Sequence, residues 1–196
     1  MPEYTDIRFE KANGVATITK TNAQLGFCMS REVVVQMKHA LLDASQDDAV
    51  TVIVITSEGG IHQGAYAVSQ GMEQENGRRP LHVREFIQYG HQVARLIETM
   101  EKPVIGVIKK QAVGGGLETL HPCDFIIAAE DAEISQPEVE TCTIAGWGGC
   151  QRVSRIVNWR KAKRILMLGL PVSGKEAEEI GLITEAVPLE RVDETV

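Results

Sequence analysis

Two glutamates near the middle of the chain, Glu118 and Glu138, stand beside glycine-rich turns and could work together as an acid and a base. Glu118 follows three consecutive glycines at 114–116, and a second glycine-rich turn, at 146–149, follows Glu138. General acid–base chemistry needs such groups close to the reacting atoms, in environments that push their pKa values apart. The pattern therefore predicts a site in which two carboxyl groups move protons.

The three glycines also predict a place for negative charge. The apolar segment Val104–Ile108 has the composition of a buried strand, and glycines directly after it let the backbone approach a ligand closely. A helix that begins there would point unpaired N–H groups toward that ligand. Donors held in position beforehand stabilise an oxyanion as it forms. The expected chemistry is proton transfer beside a developing negative charge.

The composition limits the classes of protein to which the chain can belong. Its 196 residues are 43% hydrophobic, which suits a single domain over residues 1–196 with a sizeable core. The net charge of −7 argues against nucleic acid and anionic membranes as partners. Because Glu3, Asp6 and Arg8 interrupt any apolar run near Met1, we expect no signal peptide, and no apolar stretch has the length that predicts a membrane-spanning helix. The four cysteines lack a C-x-x-C pair and metal-ligand spacing, so we expect reduced thiols and a cytoplasmic location.

Hydrophobic periodicity along the chain predicts an α/β domain. Asn13-Gly14 indicates a hairpin, Ser30 caps a helix to about residue 44, and Pro80 opens a long helix to about residue 100. A buried strand is expected at 50–56. The remaining expected elements are helices at 151–156 and 159–168, a helix to residue 180 opened by a capping box at 173–176, a strand at 182–187 and a last helix from Pro188.

The order of short motifs between residues 102 and 152 supplies a resemblance. These motifs are Lys-Pro-Val-Ile at 102–105, Ala-Val-Gly-Gly-Gly-Leu-Glu at 112–118, Cys-Asp at 123–124, Ala-Ala-Glu-Asp-Ala at 128–132, Gln-Pro-Glu at 136–138, Gly-Gly at 148–149 and Gln-Arg at 151–152. Together they resemble the crotonase superfamily, and most closely the enoyl-CoA hydratases, over about residues 7–196. The resemblance implies a crotonase-like spiral of ββα units. Such proteins continue through further C-terminal helices, which are largely absent here, so we expect a chain truncated at its C-terminus.

The resemblance also implies a mechanism. The carbonyl oxygen of a CoA thioester would accept hydrogen bonds from the backbone N–H groups of Ala65 and Gly115, the oxyanion hole. Glu138 would exchange the proton at the α-carbon, and Glu118 would activate the water that adds at the β-carbon. The enzyme would be a hydro-lyase of the enoyl-CoA hydratase type, with no metal and no cofactor beyond the CoA of its substrate. A homotrimer, or a dimer of trimers, is the implied assembly.

Further substrate contacts are implied by position. They are Gln63, Gly64, Tyr66, Gly114, Gly146 and Trp147. Gln63 and Tyr66 depart from the family pattern, in which Ala and Asp are usual, and Trp147 stands where a small residue is common. Trp147 is therefore either a core anchor or a wall of the acyl pocket, where it would shorten the tunnel or stack on a flat acyl group.

Other functions remain open. An enoyl-CoA isomerase would need only one glutamate. A crotonase-type hydrolase cleaving a C–C or thioester bond is kept open by His62, by His121 and by the altered segment Gln-Gly-Ala-Tyr at 63–66. A non-enzymatic RNA-binding or scaffolding role is disfavoured by the acidic composition and the intact glutamate pair. Glu118 and His121 form an E-x-x-H spacing, but no second such motif accompanies it, so no metal site is expected. We expect His121 to form a hydrogen bond near the site instead, where it would orient Glu118 or line the pocket.

Overall fold

Nine strands arranged in two sheets form the framework of the part of the chain that the computed structural model describes, residues 4–60 and 80–196. In chain order they are β1 (Ile7–Ala12), β2 (Val15–Lys20), β3 (Val52–Ser57), β4 (Val104–Ile108), β5 (Gln111–Val113), β6 (Phe125–Ala129), β7 (Glu133–Ser135), β8 (Val172–Ser173) and β9 (Glu185–Val187). The larger sheet has the order β1-β2-β3-β4-β6-β9, and the smaller one β5-β7-β8. In the larger sheet β1 and β2 are antiparallel and the other pairs are parallel.

Helices connect the strands and cover the sheets. In the described residues they are α1 (Arg31–Gln46), α2 (Pro80–Glu98), α3 (Gly115–Glu118), α4 (Gly149–Ile156), α5 (Trp159–Leu168), α6 (Gly174–Glu179) and α7 (Val192–Thr195). Short 3-10 turns lie at Ala23–Leu25, Glu138–Thr141 and Leu189–Arg191. The two long helices, α1 and α2, pack against each other. No helix of these segments has both the length and the apolar character needed to cross a bilayer.

The predicted hairpin is confirmed. β1 and β2 pair from Ile7 opposite Lys20 to Ala12 opposite Val15, which leaves a two-residue turn. Asn13 and Gly14 have φ angles of 53° and 84°, the left-handed conformation that a two-residue hairpin turn of this kind requires. The turn chemistry therefore sets the register of the sheet edge.

The predicted start of α1 is also confirmed. The Ser30 hydroxyl accepts a hydrogen bond of 3.1 Å from the backbone N–H of Val33, which satisfies one of the unpaired donors of the first turn. Val33, Val34, Met37 and Leu41 are buried, as their helical spacing predicts. This face of α1 forms part of the core.

Near the C-terminus the structure differs from expectation in detail. The Ser173 hydroxyl caps α6 by accepting from the N–H of Glu176 at 3.1 Å, but the Glu176 carboxylate pairs with Arg164 of α5. The second half of the predicted capping box is therefore replaced by an ion pair. The predicted strand at 182–187 is shorter: Leu182 and Ile183 are buried in the core, and only Glu185–Val187 pairs with β6. After Pro188 the chain forms a 3-10 turn before α7.

The glycines of the predicted site lie where the chain passes between the two sheets. β4 is almost entirely buried and belongs to the larger sheet, whereas β5, two residues later, pairs with β7 of the smaller sheet. Gly114 follows β5 directly, and Glu138 begins the 3-10 turn that follows β7. Because β5 and β7 are parallel neighbours, the segments that carry Glu118 and Glu138 both begin at the same end of the smaller sheet. The α/β class predicted from the sequence is confirmed.

Candidate active site

The first glycine turn has a backbone conformation that only glycine adopts readily. Gly114 has φ 56° and ψ −128°, and its carbonyl oxygen accepts from the N–H of Glu118 at 2.9 Å and from Nε2 of Gln136 at 2.8 Å. The N–H of Gly115 belongs to the same trans peptide and therefore points in the opposite direction from that carbonyl. Within residues 4–60 and 80–196 this N–H has no acceptor. The N–H is thus available to a ligand as far as the described residues are concerned, and its role as an oxyanion donor stays a prediction.

Glu118 is almost completely buried and is held by the second glycine turn. One of its two carboxylate oxygens, Oε1, accepts from the N–H of Trp147 at 2.8 Å and from the N–H of Gly149 at 2.7 Å. Only 3% of the residue is exposed. The two glycine-rich stretches of the sequence thus meet at one carboxylate, which α3 supplies and the turn before α4 orients.

Glu138 lies at the end of β7 and is also buried, with 9% of its surface exposed. Its backbone carbonyl accepts from the N–H of Thr143 at 3.0 Å, which fixes the loop that follows. Its Oε2 atom has no hydrogen-bond partner among the residues that the structure describes. A buried carboxyl oxygen without a partner is costly when ionised, which favours its protonated form.

Burial raises the pKa of both carboxyl groups. Burial raises the pKa of Glu118 to about 7, and the Glu138 charge raises it as well. The N–H groups of Gly149 and Trp147 and the Arg152 charge act in the opposite direction and lower this pKa. For Glu138, burial likewise raises the pKa. The Glu138 charge acts on Glu118, so the two carboxyl groups are electrostatic neighbours. Raised pKa values suit carboxyl groups that exchange protons near neutral pH.

Position 149 requires a glycine because the neighbouring side chains leave no room for a Cβ atom. A Cβ atom built at this position would lie 2.6 Å from Oε1 of Gln136 and 3.0 Å from Oε1 of Glu118. Gln136 is itself buried, and it connects Gly114 to the region beside Gly149. Gln136 is not among the site residues that the sequence predicts. The signal was its place in the Gln-Pro-Glu motif, two residues before Glu138.

Trp147 is packed as a core anchor. Its ring lies 4.8 Å, centroid to centroid, from that of Phe86, and its indole covers Gly90 of α2 so closely that no side chain would fit there. Only 4% of Trp147 is exposed. Of the two roles left open by the sequence, the structure supplies the first. Contact of Trp147 or of Gly146 with an acyl group stays a prediction.

His121 is buried without the hydrogen bond expected for it. Neither ring nitrogen has a partner in the described part of the chain. Burial, and secondarily the nearby Arg152 charge, lower the pKa of His121 to about 3, so the ring is neutral at physiological pH. Across the described residues, no group of three or more His, Cys, Asp or Glu side chains is arranged to hold a metal ion.

Several predicted site residues lie outside the described residues. They are Gln63, Gly64, Ala65 and Tyr66, together with His62. The second oxyanion donor and the contacts of this segment with substrate stay predictions.

Comparison with known proteins identifies the family. The family model described as enoyl-CoA hydratase/isomerase matches residues 10–196. The chain belongs to the enoyl-CoA hydratase/isomerase family. It is 32% identical over 189 residues to the crotonyl-CoA hydratase of Syntrophomonas wolfei, which covers 96% of this chain and 72% of that protein. It is 28% identical over 185 residues to the short-chain-enoyl-CoA hydratase of Clostridium acetobutylicum, with 94% and 70% covered.

A solved structure supports the same family assignment. The enoyl-CoA hydratase of Bacillus anthracis superposes with a TM-score of 0.87 at 26% identity, covering 97% of this chain and 73% of that one. The crotonase-like fold predicted from the sequence motifs is thereby confirmed. The prediction of an enzyme of the hydro-lyase type is confirmed by the family and by the two hydratase relatives.

Proposed function

We propose that this protein adds water across the α,β double bond of an enoyl-CoA thioester. The observation that carries the proposal is the buried Glu118–Glu138 pair, in which one carboxylate oxygen of Glu118 is held by the N–H groups of Trp147 and Gly149. Two neighbouring carboxyl groups with raised pKa values suit a reaction that adds a proton and a hydroxide to adjacent carbons. The similarity to a crotonyl-CoA hydratase and a short-chain-enoyl-CoA hydratase supports the substrate class.

The two glutamates have separate roles in this proposal. Glu118, ionised and fixed by two backbone donors, takes a proton from water as the oxygen attacks the β-carbon. Glu138, whose Oε2 lacks a partner among the described residues, carries the proton that reaches the α-carbon. The electron pair of the double bond moves onto the thioester carbonyl oxygen, where the N–H groups of Gly115 and Ala65 stabilise the enolate.

The chemistry needs no group other than these residues and the substrate. The reaction proceeds by proton transfer through carboxyl groups and by stabilisation of an oxyanion through backbone donors, so it needs no oxidant or reductant. CoA enters as part of the acyl-CoA. We therefore propose the acyl-CoA as the small-molecule partner and no separate cofactor.

Substitution of each glutamate tests the proposal. Loss of the enoyl-thioester absorbance is measured with a short-chain enoyl-CoA for the wild type, Glu118→Gln and Glu138→Gln. We expect each change to lower kcat by about 100-fold or more, the usual contribution of a general acid or base. Glu140→Gln, an exposed change in the same 3-10 turn, serves as the matched control and should retain wild-type activity.

Two results would contradict the hydratase proposal. The first is full activity in both glutamate variants; the second is a folded wild type that leaves the enoyl-thioester absorbance unchanged. A 3-enoyl-CoA supplied in parallel separates the isomerase alternative, because moving its double bond into conjugation increases the absorbance. Isomerisation that survives the loss of one glutamate would favour that function.

A further inference from the structure

Arg152 links the end of α2 to the turn that holds Glu118. It lies in α4, and its Nε and Nη2 atoms donate to Oε1 of Glu98 at 2.9 Å and 2.8 Å. Its Nη1 atom donates to the backbone carbonyl of Trp147 at 2.9 Å. The Arg152 side chain is 18% exposed and that of Glu98 is 45% exposed. One guanidinium thus spans a surface carboxylate and a buried turn.

The carbonyl that Arg152 holds belongs to the residue whose N–H holds Glu118. Trp147 donates its N–H inward to Oε1 of Glu118, while its carbonyl faces outward to Arg152. Between the two donors to Glu118 stands Gly148, with φ 104°, and a side chain there would overlap the guanidinium. Because both faces of this turn are pinned, the donors at Trp147 and Gly149 stay aimed at the carboxylate.

We propose that Arg152, anchored by Glu98, is a positioning residue that keeps the turn at 146–149 closed on Glu118 and places a positive charge near that carboxylate. This inference rests on the proposed hydratase function, in which Glu118 must be ionised to take a proton from water. It assigns to Arg152 a part in the reaction without contact with the substrate.

The electrostatic half of the role follows from the groups that face Glu118. Glu138 raises the pKa of Glu118, whereas the Gly149 and Trp147 donors and the Arg152 charge lower it. The Cys150 thiol also faces both glutamates, and burial raises its pKa, so it stays neutral near pH 7. The neighbouring His121 is neutral as well, because burial lowers its pKa to about 3. Arg152 is therefore the side chain in this group that favours the ionised base.

The test separates the charge of Arg152 from its geometry by pH–rate profiles of kcat/KM with an enoyl-CoA. Arg152→Gln removes the charge and leaves only a shorter amide, so the acid limb should move to higher pH by about one unit. Arg152→Lys keeps the charge but cannot span both partners. Its acid limb should stay in place while the plateau of kcat falls roughly 10- to 100-fold, with KM changed less.

Arg155→Gln is the matched control. Arg155 lies one turn away on the exposed side of α4 and donates to the carbonyl of Gln151, so the profile should match that of the wild type. Glu98→Ala is a surface change that leaves the site residues intact and releases the guanidinium. We expect its kcat plateau to fall between those of the wild type and Arg152→Lys.

The inference is overturned if folded Arg152→Gln shows the wild-type acid limb, or if Arg152→Lys and Glu98→Ala both keep the wild-type kcat. A merely structural role would lower the melting temperature and the amount of active protein without moving the acid limb. Failure of the hydratase proposal looks different, since both glutamate variants would then keep full activity or the folded wild type would leave the enoyl-thioester absorbance unchanged. The two proposals are tested by separate variants.

Discussion

At the scale of single residues, the site depends on backbone groups that hold buried side chains. Glu118 loses the solvation of its charge on burial and recovers part of it through two N–H donors at 2.7 Å and 2.8 Å. The balance leaves its pKa near 7 rather than at the ordinary value of 4.5. A carboxylate that titrates near neutrality is useful for catalysis and costly for folding.

This cost predicts how stability changes with pH. Below about pH 4.5 Glu118 is protonated in both the folded and the unfolded state. Between pH 4.5 and 7 it ionises more readily in the unfolded state, so the free energy of unfolding of the wild type falls as the pH rises. Glu118→Gln should therefore be more stable than the wild type at pH 8, by at most about 3 kcal/mol, and should gain little at pH 4. Urea unfolding at both pH values measures this, with Glu140→Gln as the control. Equal differences at the two pH values would contradict it.

A second prediction at this scale concerns Gly149. Gly149→Ala would force its Cβ against Gln136 and Glu118, so we expect a loss of stability of about 1–3 kcal/mol together with a large loss of kcat. Gly146→Ala is the control for stability, because a Cβ there meets nothing closer than 3.7 Å. Thermal unfolding of both variants makes the comparison. An unchanged melting temperature for Gly149→Ala would show that the turn has room to move.

At the scale of elements, α2 and the turn before α4 act as one unit. The indole of Trp147 covers Gly90 in the middle of α2, and Arg152 ties the turn to Glu98 at the end of the same helix. The position of the two N–H donors therefore depends on how closely α2 approaches the turn. A substitution in α2, away from the carboxyl groups, should therefore shift the two N–H donors that hold Glu118.

Gly90→Ala tests this coupling. Alanine is the better helix former by about 1 kcal/mol, yet its Cβ would overlap the Trp147 ring. We expect the melting temperature and kcat to fall together. Gln88→Ala, an exposed position on the same helix, should leave both unchanged. A more stable and fully active Gly90→Ala would contradict the coupling.

The elements that the sequence predicts well are those with local signals. Asn13 and Gly14 specify their turn by dihedral angle, and Ser30 specifies a helix start through a donor three residues away. By contrast, Gln136 and Arg152 act through contacts with residues such as Gly114 and Trp147 that no periodicity indicates. The predicted strand at 182–187 is longer than the observed β9. Leu182 and Ile183 are apolar because they pack in the core, and they do not pair with the sheet.

At the scale of the whole molecule, apolar side chains form an exposed stripe on α5. Trp159 and Met167 are 67% and 64% exposed, and Ile156, just before the helix, is 41% exposed. Positions 159, 163 and 167 share one helical face, where Lys163 places its Nζ 4.3 Å from the centre of the Trp159 ring. Exposed apolar surface of this kind favours association, in line with the homo-oligomer expected from the sequence.

Sedimentation velocity tests this expectation. We expect the wild type to sediment as an oligomer, and Trp159→Lys combined with Met167→Lys to shift it toward the monomer. Arg160→Glu, an exposed charge change on the same helix, is the control. A wild type that sediments as a monomer across micromolar concentrations would contradict the oligomer prediction.

The two donors to Glu118 share a single oxygen atom, Oε1. A carboxylate anchored in this way cannot rotate about its Cγ–Cδ bond without breaking both hydrogen bonds. The oxygen that meets the incoming water would therefore occupy the same position in every cycle, and water would approach one face of the double bond. We expect the 3-hydroxyacyl product to be a single enantiomer, which chiral chromatography of the hydrolysed thioester would reveal.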